Sequence, residues 1–440
     1  MPLYANDVSE YVAPRETRVV RLVAEIGRSV SERSRSRYLV EARVDDGPPF
    51  TGQFTPSPDW GQGSDTPVQS MSNVYSGGLT GSSLGTQLFT ALFSGGLSRC
   101  WAKAVEKSQS RGGLHVVIRS ADLSVHALPW ELLSDPMAST GPVALADGCS
   151  VIREYPRLSS DPVPVSEPVD IADLHVLVMT AAIGGLNEDN DPKILFESFP
   201  GADVEAVPHV GHESLARALS ERGRHIVHLL ASGVRGRQGQ QSLMLGQTDI
   251  PETLTVSEFI DTLAAQHHKD LRLVVLAACD SDLFAAELAR TVPNVIGMRG
   301  RISDDGCLAF LRGFYRALGS GSSIDQAAAS GRAQQIGFSQ SLGEDWALPV
   351  LFLASPTPIV RRAASATHEL APELVQPSPS DTLEEQTAQF LLEMKRSNLR
   401  SLRDQWDQVD KGSTPRFIQD QIDALDHDVQ EIADKGQGPT

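Results

Sequence analysis

Cys279 stands at the end of an apolar run, LRLVVLAA (271–278), and is followed by Asp280, Ser281 and Asp282. A second run, HIVHLLA (225–231), ends at Ser232 and Gly233. Short runs this rich in Val, Leu and Ile suit strands buried on both faces of a parallel sheet. In open α/β sheets, ligands bind beyond the carboxyl ends of the strands. If these two strands are neighbours, the thiol and the side chain at 232 face one crevice. Nucleophilic catalysis by cysteine needs that geometry, with a base in hydrogen-bond reach. Gly233 lets backbone approach a substrate carbonyl closely. A helix expected from about Leu283 would bring its N-terminus near Cys279 and lower the thiol pKa. Asp304 and Asp305 precede another helix and read either as its cap or, with Asp280, as an acidic pocket that selects a basic side chain. Cys100, Cys149 and Cys307 read as small buried hydrophobes.

The elements that must position these residues alternate. LHVLVM, HIVHLLA, LRLVVLAA, NVIGM and LPVLFL are strand candidates, with amphipathic helices over 212–222, 256–266, 283–290, 307–318 and 323–336. This alternation predicts an α/β/α sandwich with a mainly parallel sheet across 167–354. Residues 1–166 read as a β-rich half. Strands are expected over 19–26, 38–44 and 114–120, a long Gly/Ser/Pro loop over 51–85, and helices over 84–93 and 97–107. Residues 355–381 read as a proline-rich linker. Residues 382–436 read as a helical hairpin. Thr382 and Glu385 form a capping box, and Ile418, Ile422, Leu425, Val429 and Ile432 mark an apolar seam at heptad spacing. The seam can pack in cis, bind a partner or drive self-association.

Five segments together resemble the CHAT family, in the clan of caspases and separases: ALPWELL (127–133), HIVHLLASG (225–233), VVLAACDSD (274–282), GMRGRISDDGCLAFLRGFYRAL (297–318) and DWALPVLFL (345–353). The resemblance implies a caspase-like fold in which 1–166 is a pseudo-caspase half. It further implies a cysteine endopeptidase of a bacterial immune or conflict system, switched on by a sensor protein and cleaving a protein substrate. Cys279 is the nucleophile of that pattern, and the backbone near Gly233 its oxyanion hole.

The pattern places the base histidine at position 232, where this chain has serine. A hydroxyl cannot accept a proton near neutral pH. An unassisted thiol, with a pKa of about 8.5, leaves only a few per cent thiolate at pH 7. His228 shares the strand face of Ser232 but lies roughly 13 Å along it, which makes it a core residue. His209 and His212 precede the strand and would have to swing in. Ser232 therefore marks a natural pseudoprotease, an introduced substitution, or a strand read out of register. The alternative function is a non-catalytic interaction or scaffold module.

Composition narrows the classes. The chain has 440 residues, 40% hydrophobic, with a net charge of −18. That charge opposes general nucleic-acid binding, because phosphate neutralisation needs a basic surface. It favours a basic peptide or protein partner. The four cysteines match no zinc or disulfide pattern. No metal or cofactor is expected, no stretch is long and apolar enough for a membrane span, and a reducing, cytoplasmic setting is expected.

Overall fold

Alternation of apolar and charged residues builds the first strands. In β1 (Val20–Glu32), Val20, Leu22, Ala24 and Ile26 are buried while Arg21 and Glu25 face outward. β2 (Arg35–Val44) repeats the pattern with Tyr38, Val40, Ala42 and Val44 inward, and β3 (Phe50–Phe54) pairs with its outer edge. Two helices, α1 (Gly81–Leu92) and α2 (Gly96–Arg111), cover the inward face through Leu88, Phe89 and Trp101, with Phe93 of the connection packed beside them. Between them Gly95 takes φ 57°, a left-handed conformation open to glycine. The computed structural model describes residues 19–32, 35–57, 60, 81–138, 141–156, 167–183, 190–220, 223–236, 240–247, 249–265, 270–338 and 345–361.

The sheet continues through β4 (Leu114–Arg119) and β5 (Cys149–Glu154) into the second half. There it gains β6 (His175–Thr180), β7 (Asp203–Val207), β8 (Ile226–Leu230), β12 (Leu273–Ala277), β13 (Asn294–Met298) and β14 (Pro349–Leu353). The eleven strands run in the order β3-β2-β1-β4-β5-β14-β13-β12-β8-β6-β7. Joints are antiparallel at β1–β2, β2–β3 and β13–β14 and parallel elsewhere. The antiparallel β13–β14 joint reverses direction. The carboxyl ends of β6, β8, β12 and β13 therefore share one edge of the sheet, opposite those of β1, β4, β5 and β14.

One face of the second half is covered by α4 (Asn190–Ser198), α8 (Asp304–Gly319) and α9 (Ile324–Phe338). The other carries α5 (His212–Ser220), α6 (Val256–Ala265) and α7 (Asp282–Leu288). The fold is thus a mixed α/β sandwich with a mainly parallel sheet.

A buried charge cluster joins the halves. Glu131, in the short helical turn Trp130–Leu132, is fully buried and pairs with fully buried Arg153 of β5 through both carboxylate oxygens, one of them at 2.8 Å. Buried Arg299 and Arg332 lie close enough for their charges to act on the same carboxylate. Burial pushes the Glu131 pKa up, but Arg153 outweighs it and the net direction is down. The indole of Trp130 donates to the Val125 carbonyl at 2.7 Å, fixing the turn.

Three regions differ from expectation. The loop expected over 51–85 contains β3, whose alternating Thr, Gly and Gln residues hide a strand pairing in register with Tyr38–Ala42. The stretch after Ser355 is not free linker at its start: Ile359 and Val360 are buried, and Val360 bridges to Val169. α4 is a helix that the sequence reading does not anticipate. The remainder of the proline-rich stretch and the hairpin over 382–436 lie outside the described residues.

Candidate active site

β12 and β8 are neighbours, parallel and in register, with Leu273 opposite Ile226 and Ala277 opposite Leu230. Leu230 and Ala277 point to the α4/α8 face, and Ala231 and Ala278 to the other. Cys279 lies on the α4/α8 face as well, whereas Ser232 opens β9, a strand of a second, smaller sheet. Cys279 packs there, half-buried, and its thiol donates to the Ile302 carbonyl at 3.8 Å. The residues beyond the two strand ends also touch. A Cβ on Gly233 would stand 1.5 Å from the Cys279 carbonyl oxygen. Gly233 was expected to admit a substrate carbonyl. Its lack of a side chain is already needed for the crossing over Cys279.

The turn after Cys279 is held from both sides. Asp280 adopts φ 50°, the left-handed region that costs a non-glycine residue. Its N–H donates to the Gly300 carbonyl, and the Ser281 N–H to that of Met298. The Ser281 hydroxyl donates to the Ala278 carbonyl at 2.7 Å and accepts from the Met298 N–H at 2.9 Å. From the other side comes a three-stranded sheet of β9 (Ser232–Arg235), β10 (Gln241–Gln247) and β11 (Ile250–Thr255). The glycines and glutamines of this stretch give no clear strand period, so the pairing does not show in the sequence. Gln241 donates to Asp282 at 2.7 Å, and its carbonyl oxygen accepts from the N–H groups of Leu283 and Phe284. Arg235 reaches Asp280 at 3.6 Å and Asp282 at 3.8 Å.

Burial pushes the Cys279 pKa up, a backbone hydrogen bond at Ile302 offsets part of that, and the charges of Asp280 and Asp304 add to the rise. The lowering expected from the helix N-terminus does not prevail. α7 is short, and Gln241 already takes two of its free N–H groups.

Each histidine among the described residues is engaged elsewhere. His228 is fully buried, hydrogen-bonded to Asp191 and to the Tyr315 hydroxyl, each at 2.8 Å. His209 pairs with Gln247 and His212 with the Thr253 carbonyl, which ties both to the β9–β11 sheet. His115 pairs with Asp325, His126 with the Ser120 carbonyl and His175 with Asp203, while His225 accepts the His175 N–H.

The acidic residues divide. The α8 cap is Ser303, whose hydroxyl accepts the Gly306 N–H at 3.1 Å, so Asp304 and Asp305 are first-turn residues and not the cap. The Asp304 pKa is raised, by burial first and then by Asp305 and Asp191. Asp280 is raised by burial, offset in part by Arg235. The sequence reading missed Asp191. It lies in the first turn of α4 and is only 3% exposed. Its charge also helps raise Cys307 and Tyr315, after burial. Asn190-Asp191-Pro192 was a legible helix start, but nothing in sequence put it beside Asp304 and Cys307. Cys279, Cys307, Asp304 and Asp191 thus form one acidic patch on the α4/α8 face.

The CHAT domain family matches residues 82–352. No curated protein matches. Among solved structures, the complex of the pro- and mature domains of Porphyromonas gingivalis RgpB is similar over 60% of this chain and 71% of that chain, at 12% identity and TM-score 0.42. A structure described only as a protease is similar over 59% and 67%, at 13% identity and TM-score 0.38. The Saccharomyces cerevisiae separase–securin complex is similar over 60% of this chain and 18% of that one, at 14% identity and TM-score 0.34.

Proposed function

The chain belongs to the CHAT family, and from that premise we propose that it is a caspase-like cysteine endopeptidase scaffold whose hydrolysis is blocked or severely impaired at Ser232. The observation that supports this most is the contact of Gly233 with the Cys279 carbonyl, which sets position 232 beside the thiol-bearing turn. In the hydrolytic reaction the Cys279 thiolate attacks the scissile carbonyl carbon and forms a C–S bond. The leaving amine takes a proton, and water then releases the acyl group. Here burial raises the pKa of the half-buried thiol, Ser232 cannot take its proton, and each histidine among the described residues is engaged elsewhere. The cleft's role is to bind an extended protein segment. Asp304 and Asp305 form an acidic wall suited to a basic side chain next to the scissile bond, while Asp191 is buried on His228. Asp280 serves the turn through Arg235 and contributes less to such a wall.

We further propose that the scaffold serves a bacterial immune or conflict system, with a sensor protein as activator and residues 382–436 as the segment for self-association or partner binding. The engaged histidines favour a second reading, a pseudoprotease that binds its partner without cleaving it. Ser232→His separates the two. The hydrolase reading expects peptide hydrolysis at basic sites to rise by about 10²–10⁴, with acylation of Cys279 by a peptide electrophile, and both to vanish in Cys279→Ala. If hydrolysis and acylation both stay at the starting level, the hydrolase reading is lost and the binding module stands.

A further inference from the structure

Beside the thiol, the β9–β11 sheet makes contacts that the hydrolytic chemistry does not require. Gly233 crosses over the Cys279 carbonyl. Arg235, directly opposite Gln241 in the β9–β10 ladder, reaches the carboxylates of Asp280 and Asp282. The guanidinium is largely covered, at 18% exposure. Gln241 is buried and spends both ends of its carboxamide on the same turn, donating to Asp282 and accepting from Leu283 and Phe284. The turn itself carries a left-handed Asp280, a conformation that persists only where its surroundings hold it. By contrast, Val234 and Ile250 of the small sheet are exposed.

We infer that Arg235 and Gln241 are positioning residues that latch the Cys279 turn in its half-buried state, so that displacing the β9–β11 sheet exposes the thiol. Both latch residues sit on one element and bind one turn, so they let go together. Releasing the turn removes the burial that raises the thiol pKa and increases the thiolate fraction at neutral pH. The inference rests on Cys279 being the reactive thiol of the cleft. Its test reads thiol chemistry alone, so it can fail while the endopeptidase reading survives, and the reverse.

The full chain is alkylated with iodoacetamide across pH 6–10, and each cysteine is followed by peptide mass spectrometry. Arg235→Met keeps the stem and removes the charge; Gln241→Met keeps the volume and removes three hydrogen bonds. Each is expected to speed Cys279 alkylation at pH 7 about ten-fold, equivalent to one unit of thiol pKa, and to shift the midpoint of its pH profile down. Arg235→Lys, which retains the charge, is expected to label near the starting rate. Cys149 reports general loosening and should not change. Cys100, buried in the first half, reports unfolding. If a Met variant unmasks Cys100, its local effect is read below its melting range, where Cys100 is silent. Cys279 rates and midpoints unchanged in both Met variants, with Cys100 silent, overturn the latch. So does Arg235→Lys behaving like Arg235→Met.

Discussion

At Gly233 the demand on one residue can be stated in ångströms. The Cys279 carbonyl oxygen occupies the space where any side chain would begin. Gly233→Ala must push the two strand ends apart and is expected to cost at least about 3 kcal/mol, read as a lower urea midpoint at unchanged slope. Ser232 illustrates how far sequence reaches at this scale. The core placement of His228 was legible from the period of the strand, whereas position 232 as the base position rests on the family resemblance alone. The direction of the Cys279 pKa was not legible. It depends on burial and on the charge of Asp304, 25 residues away in the chain, and no local pattern carries such information. Asp191 was missed for the same reason, because its partner His228 lies on another element.

Among elements, the long apolar strands and amphipathic helices were legible because each buries a face whose period shows in the residues. β3 and β9–β11 were not, since Gly, Gln, Ser and Thr populate them and their pairing is set by neighbours. The one-turn helix α3 (Leu123–His126) shows how a small element couples to pH. His126 donates from Nε2 to the Ser120 carbonyl, and its other nitrogen is buried without a partner. Burial lowers its pKa from 6.5 to about 4, partly offset by the hydrogen bond to Ser120. The unfolded chain therefore binds a proton that the folded one refuses between those values. Stability is full above pH 6.5 and falls as pH drops through this window, by about 3 kcal/mol from this group. Urea titrations at pH 7.5 and 4.5 should show that loss, and His126→Asn should reduce it.

Over the whole molecule, one sheet serves two halves of opposite strand direction, and the charge cluster around Glu131 sits where they meet. Glu131 belongs to the ALPWELL segment, Arg153 to the first half's last strand, and Arg299 to the segment after β13. Motifs far apart in sequence thus converge on one carboxylate. The five segments in order carried the fold, but their convergence required the structure. Glu131→Ala leaves buried guanidinium charge uncompensated and is expected to cost about 3–5 kcal/mol, measurable as a shifted urea midpoint. The same architecture brings Cys279 to a strand edge without an imidazole among the described residues. The pH dependence of Cys279 alkylation in the unaltered chain measures that condition directly. A single ionisation above the ordinary thiol value of about 8.5, with negligible reaction at pH 6, is the result expected. A thiolate that still reacts on a plateau down to pH 5–6, as an ion pair with a histidine does, would contradict it.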